Sequence, residues 1–341
     1  MKVLYCIPQN KIGGAEVVFS SLEETIFDDL EVVKFDLRIT NNNPFLYFKA
    51  IISIVRIIRN QNINLVISSL WKSHLIVILS SFFCDIKFIP FIHSTEWFNV
   101  FDKLISKYIL RNSFAVIVDS ESVRNARVKY LLHNRVFVVS MRTINSKNRK
   151  IYNNFSLNVN FVFVGRITKS KRLDKSIFFL NLLKEKYPNL NITFNVFGPL
   201  EESYSEEWNN LILSNYNVQV YANGSIANKD VPNTLLGNDF YLQLSDIEGM
   251  SMSVMESMIV GLIPIVTRVG EIGSYAQDNV NAIMCDKDDS IESIVNKFSL
   301  IFQDVVELNK ISDRAFFTFN TTSLFKDDIF RVLKKITKCV E

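Results

Sequence analysis

The chain has 341 residues, 48% apolar and 21% charged, an ordinary globular composition at about twice the usual single-domain length, so two domains are expected. Cys6, Cys84, Cys285 and Cys339 stand far apart with no Cys-x-x-Cys pair, so neither a disulfide framework nor a thiolate metal site is suggested. Lys and Arg number 38 against 35 Asp and Glu, yet the small net charge of +3 hides an asymmetry: residues 1–150 carry 20 basic and 12 acidic groups, and residues 151–341 carry 18 and 23.

The opening MKVLYCIPQNKIGG has too short an apolar run before Pro8 and Lys11 for a signal peptide. The longest apolar stretch, 75–92, is interrupted by Asp85 and Lys87, so no transmembrane span is expected. A reducing cytosol is the expected compartment. The four Asn-x-Ser/Thr sequons, Asn154 and Asn320 among them, are then incidental.

Short β-branched runs alternate with longer amphipathic stretches, the pattern of βα units around a parallel sheet. Strands are predicted to start at Lys2 (KVLYCI), Leu65 (LVISSL), Phe88 (FIPFI), Ala115 (AVIVDS) and Val136 (VFVVS). Helices are predicted over 15–27, 45–59, 101–110 and 122–132. The polar, aperiodic stretch after Ser140 reads as a linker, with a boundary near Lys150. The alternation then restarts with strands at Asn160, Ile192, Val218, Phe240 and Ile263. The tail places Leu324, Ile329, Phe330, Leu333 and Ile336 at helical spacing. The expected architecture is α/β, with two Rossmann-like doubly wound domains over 1–150 and 151–320, a cleft between them, and a final helix over 321–341. In such sheets ligand groups come from the loops at the carboxyl ends of the strands.

Four such loops carry candidate chemistry. After the first strand, Gly13 and Gly14 would let a ligand approach the backbone, or simply make a turn; neither the dinucleotide nor the P-loop glycine pattern is present. His93 ends the strand FIPFIH and is expected to emerge at the carboxyl edge as a ligand contact or a core histidine, whereas His74 and His133 read as structural. In FVGRITKSKRLDKSI, Arg166, Lys169, Lys171 and Arg172 follow a strand end; a planar guanidinium and a compact ammonium suit a diphosphate, and the alternative is a solvated basic loop. In SDIEGMSMSVMESM a strand end leads through a turn into a helix. The amides of Gly249, Met250, Ser251 and Met252 at that helix start would make an anion site. Glu248 would reach sugar hydroxyls and Glu256 a ribose diol. The eight-residue spacing of Glu248 and Glu256 recurs at Glu16 and Glu24 and is uninformative without that context. The alternative for both is favourable charge at a helix start. No spacing of His, Cys or carboxylates suggests a metal site.

On these residues the chain resembles the retaining glycosyltransferases of family 4, which have the two-domain GT-B fold and use nucleotide-sugar donors. GRITKSK looks like the family's Gly-Arg-Leu motif with its following Lys, VFGPLEES like its Gly-x-Gly-Pro turn with Gly198 kept and Val196 replacing the first Gly, and SDIEGMSMSVMESM like its Glu-x7-Glu motif. The resemblance implies that Arg166 and Lys171 bind the donor diphosphate, Glu248 the hexose and Glu256 the ribose. It places Gly13 and Gly14 near the diphosphate and His93 beside the donor sugar, and it sends the last helix back to the first domain. The family's Gly-Gly-Ile-Pro-Glu loop is replaced here by Gly270, Glu271, Ile272, Gly273 and Ser274.

The expected activity is retaining, metal-independent transfer of a hexose or N-acetylhexosamine from a nucleotide diphosphate sugar, UDP-linked, to a lipid-linked or polysaccharide acceptor in cell-surface polysaccharide biosynthesis, with no cofactor. The basic first half, with Lys103, Lys107, Arg111, Arg124, Arg127 and Lys129 among Trp97, Phe98, Phe101 and Tyr108, suits an anionic membrane at the cell's inner face; no nucleic-acid recognition motif accompanies that charge. The rival readings are a non-catalytic subunit that binds nucleotide sugar or acceptor, and an epimerase on the same fold. Donor sugar, acceptor, linkage and oligomeric state are not specified by the sequence.

Overall fold

The computed structural model describes residues 1–9, 13–22, 26–27, 30–41, 43–128, 135–153, 157–215 and 217–338. The chain forms two compact units, Met1–Thr143 with Ser323–Glu341, and Ile144–Thr322.

Unit 1 is built on β1 (Lys2–Ile7), β2 (Ile26–Phe27), β3 (Leu30–Asp36), β4 (Leu65–Ser69), β5 (Lys87–Ile92), β6 (Val116–Val118) and β7 (Val136–Val138), in the order β2-β3-β1-β4-β5-β6-β7. Every pairing is parallel except β2 with β3. Val3, Leu4, Tyr5, Cys6 and Ile7 are all fully buried, as expected of a strand covered on both faces. Helix starts are fixed by side chains: Asn43 accepts from the Phe45 amide ahead of a helix that opens with Pro44, and Asn99 accepts from the Asp102 amide. The final helix, Phe325–Thr337, packs into this unit. Phe325 stacks on Phe91, and its amide donates to the Arg142 carbonyl at 2.7 Å.

Unit 2 holds β8 (Asn158–Val164), β9 (Asn191–Phe197), β10 (Gln219–Ala222), β11 (Phe240–Gln243), β12 (Pro264–Thr267) and β13 (Ile283–Cys285) in the order β10-β9-β8-β11-β12-β13, all parallel. Chain order reverses between β8 and β11, which is the switch point where doubly wound sheets hold ligands. An aromatic core of Phe161, Phe179, Phe240 and Phe298 fixes these strands to the helices Leu173–Lys186 and Ile291–Phe302.

Several sequence expectations change. The helix predicted to reach residue 27 is Gly14–Ser21. Ser21 turns its hydroxyl onto the Val18 carbonyl and Leu22 adopts an extended backbone, the competition by which serine ends helices. Ile26–Phe27 is instead a strand, and β3 and β13 form where no strand was predicted. The segment 122–132 is a short helix, Glu121–Val123, followed by a π-turn, Arg124–Val128, with its remainder outside the described residues. The chain passes between units at Thr143 and Ile144, whereas the polar stretch suggested Lys150. Lys150 is already bound in unit 2, its amide to the Val260 carbonyl at 2.8 Å and its ammonium to Asp239 at 2.9 Å. Tyr152, within the same polar stretch, is buried with its hydroxyl donating to the Asp239 carbonyl.

Candidate active site

The switch point of unit 2 brings together two of the loops singled out in the sequence. After β8 the chain turns at Gly165 (φ +155), and after β9 at Gly198 (φ +141). A Cβ on Gly198 would run into the Gly165 carbonyl, so glycine here lets two strand-end turns pack together. Beyond Gly165 the basic residues separate by partner. Arg172, in the left-handed region at φ 49, is held by Asp174 at 2.8 Å and Asp246 at 3.0 Å. Lys169 pairs with Glu207 at the surface. Arg166 is exposed, and no ion pair engages it among the described residues.

Lys171 takes a different course. Its ammonium donates to both oxygens of Glu248, at 2.6 and 2.7 Å, and the two side chains are only 18% and 5% exposed. The sequence reading assigned these two groups to separate parts of a ligand; in the structure they satisfy one another. Gln243 donates to the same carboxylate and to the Ser251 hydroxyl, both at 2.9 Å, and accepts from the Tyr241 hydroxyl at 2.6 Å. Ser253 closes the group, 2.9 Å from Tyr241. Sequence reasoning missed Gln243 and Tyr241. The available signal was a glutamine at the carboxyl end of the strand FYLQ, on the same face as Tyr241 two residues earlier.

The helix Met252–Ile259 starts from Ser251, itself left-handed at φ 51, and follows Gly249 and Met250 as the sequence suggested. The Tyr275 hydroxyl donates to the Met250 carbonyl at 2.9 Å. Gly270 (φ +58) lies under this turn, where any Cβ would strike the Glu248 and Gly249 carbonyls. The next residue, Glu271, is 4% exposed; its amide donates to the Gly249 carbonyl and one of its carboxylate oxygens accepts from Ser274, while the other is buried with no partner among the described residues. Glu256 lies within the helix, 7% exposed, and burial pushes its carboxyl up to about 8. Such a carboxyl is largely protonated at neutral pH and offers a donor as well as an acceptor.

In unit 1 His93 does not emerge freely, as expected from the end of its strand. Its side chain is 10% exposed, with Nε2 3.0 Å from the Ser69 hydroxyl and Nδ1 3.6 Å from Asp119. Ser69 also meets the Tyr5 hydroxyl at 2.9 Å. His74 is buried against Ser68 at 2.8 Å, and burial, then the nearby His93, pull its pKa down to about 3, so it is a neutral core residue. His133 lies outside the described residues. Gly13 is the extended residue that starts the helix Gly14–Ser21; no left-handed backbone requires glycine there. Gly14 is the first residue of that helix.

The basic stretch of unit 1 also divides. Lys103, Lys107 and Arg111 are exposed on the helix Val100–Asn112, beside exposed Phe98, Phe101, Leu104 and Tyr108. Arg127 departs from the expected solvent-facing role. It is buried, its guanidinium 3.3 Å over the Trp97 ring and hydrogen bonded to the carbonyls of Ser94 and Glu96, and burial lowers its pKa to about 10. Arg124 is paired with Glu121, and Lys129 lies outside the described residues. Among the described residues no three His, Cys, Asp or Glu side chains gather as a metal set, and no helix is long and apolar enough to cross a membrane.

The fold is similar to that of the Anabaena protein HepE, crystallised with UDP and glucose, at TM-score 0.77 and 16% identity over 100% of this chain and 99% of that one. It is also similar to sucrose-phosphate synthase of Thermosynechococcus elongatus, at TM-score 0.74 and 11% identity over 100% and 99% of the two chains. These are two-domain GT-B architectures, and the present chain shares that fold. In sequence it is 29% identical over 128 residues to a subunit of human phosphatidylinositol N-acetylglucosaminyltransferase, covering 38% of this chain and 26% of that protein, so the match spans about a quarter of the human relative. The family described as glycosyl transferases group 1 matches residues 144–316, half of the chain, taking in β8 to β13 and every residue of the Lys171–Glu248 cluster. The chain therefore belongs to the glycosyl transferases group 1.

Proposed function

We propose that the protein is a retaining glycosyltransferase that moves a hexose or N-acetylhexosamine from a UDP-sugar to a lipid-linked or polysaccharide acceptor in cell-surface polysaccharide biosynthesis, at the inner face of the cell membrane. The observation that carries this reading is the enclosed Lys171–Glu248 pair at the switch point, with exposed Arg166, which has no ion pair among the described residues, on the same loop as Lys171. Supporting it, HepE was crystallised with UDP-glucose, and the human relative is named as part of an N-acetylglucosaminyltransferase.

In the proposed reaction the donor parts the ion pair. Lys171 turns to the diphosphate together with Arg166, and Glu248 accepts hydrogen bonds from sugar hydroxyls. The amides at the start of Met252–Ile259 face the diphosphate, and Glu256 meets the ribose. The bond from the anomeric carbon to the diphosphate oxygen breaks, and the acceptor oxygen bonds to the same face of that carbon. The acceptor's proton passes to the departing diphosphate. Fixed cations and amides aimed at the growing phosphate charge supply the stabilisation, so no metal is assigned to the step. His93, Gly13 and Gly14 keep the places the resemblance gives them, beside the donor sugar and diphosphate. Phe98, Phe101, Leu104 and Tyr108 with Lys103, Lys107 and Arg111 form the membrane-facing stripe.

A thermal-shift panel of UDP-, GDP- and dTDP-sugars tests donor choice. A donor at 100 times its dissociation constant stabilises by about 2.7 kcal/mol, and the largest shift is expected from a UDP-sugar. NMR of the product should show the donor's anomeric configuration retained. A protein that binds UDP yet neither hydrolyses nor transfers any donor would be non-catalytic, a binding partner for some other transferase, and inversion would overturn the mechanism.

A further inference from the structure

The outer face of the helix Pro44–Gln61 is apolar where a soluble helix is normally polar. Phe45, Phe48 and Ile52 are exposed at helical spacing. Beside them, after the neighbouring helix Trp71–Ser80, Phe82 and Phe83 stand 73% and 60% exposed. Phe48, Ile52, Val55, Leu79, Phe82 and Phe83 line a groove of about 800 Å³ between these elements. Arg56 and Arg59 sit at its rim, with Arg59 fixed by a hydrogen bond to the Phe83 carbonyl at 2.9 Å.

The charged residues that line the groove, Arg56 and Arg59, have one sign. Residues 37–84 contain no Asp or Glu but carry Arg38, Lys49, Arg56, Arg59 and Lys72; 35 acids in 341 residues would put about five in such a stretch. Exposed phenylalanines lined by the cations Arg56 and Arg59, with exposed Asp85 two residues beyond Phe83 the nearest acid along the chain, match a bilayer bearing anionic headgroups, with rings entering the acyl boundary and arginines on phosphate. The helix Trp71–Ser80 packs against both Pro44–Gln61 and Val100–Asn112. The groove and the Phe101 stripe therefore belong to one helical layer of unit 1.

We infer that this groove is a second lipid-binding site, which seats acyl chains of an anionic bilayer and holds the lipid phosphate with Arg56 and Arg59. The inference rests on the membrane part of the proposed function but not on the identity of the sugar donor. Its test is co-sedimentation with phosphatidylcholine vesicles made with and without phosphatidylglycerol. Binding to the anionic vesicles is expected, weakening as salt is raised. Arg56→Gln and Arg59→Gln should each lower the partition coefficient by about fivefold, and Phe48→Ser with Phe82→Ser by at least as much. Far-UV circular dichroism and the unfolding midpoint check that each variant is folded.

Groove variants that bind like the parent while Phe98→Ser with Phe101→Ser abolishes binding would overturn the inference and leave the membrane reading standing. A parent that ignores anionic vesicles would overturn both, while the thermal shifts with UDP-sugars still report on the donor reading. A parent that sediments as a dimer and becomes monomeric on Phe48→Ser with Phe82→Ser, its vesicle binding unchanged, would assign the groove to a second copy of the chain and overturn the inference.

Discussion

The two units use charge in opposite ways. In unit 2 the cation and anion proposed to meet the donor are enclosed and joined, Lys171 to Glu248 with Gln243 and Tyr241 behind them. In unit 1 the cations Arg56, Lys103 and Lys107 stand at the surface among exposed phenylalanines. A joined pair has already given up its hydration, so a ligand that parts it must supply equivalent contacts to both members. Exposed cations over an apolar face have given up nothing and answer to any surface of the right sign. Selectivity is thus expected from unit 2 and attachment from unit 1.

The sharpest break in this contrast comes from parting the pair. Glu248→Ala should reduce sugar transfer by about a hundredfold or more. It should also destabilise the fold by about 2–3 kcal/mol, since Lys171 is left enclosed without its carboxylate. Lys171→Ala should do the same from the other side, and the double variant should be more stable than the two losses added together. Rates equal to the parent in either single variant would remove both residues from the site.

A smaller effect concerns Glu256. Its carboxyl has an ordinary value of 4.5 and is raised by burial to about 8 in the folded protein. Between these values the folded state keeps a proton that the unfolded state releases. Stability without ligand should therefore fall as pH rises through that window, by up to about 1.4 kcal/mol per pH unit, and level off outside it. Glu256→Gln should flatten that part of the profile in urea unfolding measured across the window. An unchanged slope would show the carboxyl to be better solvated than its burial indicates.

The smallest effect separates binding from folding. Arg166 is exposed and has no ion pair to lose among the described residues, so Arg166→Ala should leave the unfolding midpoint unchanged while weakening UDP binding by about tenfold, the loss of one charge-assisted hydrogen bond. Calorimetric titration with UDP reads this directly. A fall in stability without a change in affinity would make Arg166 structural.

The sequence discloses some of these features better than others, and the reason is distance along the chain. Arg166, Lys171, Glu248 and Glu256 lie in short segments where strand, turn and helix follow within a few residues, and such segments carry their geometry locally. The partition of the cations does not show, because Arg172 is claimed by Asp246 and Lys171 by Glu248 across 74 and 77 residues. Arg127 misled for the same reason: its partners at Ser94, Glu96 and Trp97 are some thirty residues earlier. β3 was hidden because its residues LEVVKFD follow an acidic, serine-bearing stretch that weakens the strand pattern, and pairing with β1 on one side and β2 on the other makes it a strand.

The placement of the helix Phe325–Thr337 governs the order in which the molecule can be assembled. Unit 2 is one continuous run of chain, Ile144–Thr322, but unit 1 is completed by residues after it. During synthesis the first sheet emerges early and waits, with Phe91 lacking Phe325 and the Ser140 amide lacking Asp328, while the whole of unit 2 is made and can fold as a domain. A stop just before Ser323 would spare the unit adjoining it and leave open the core of the unit farthest away in sequence.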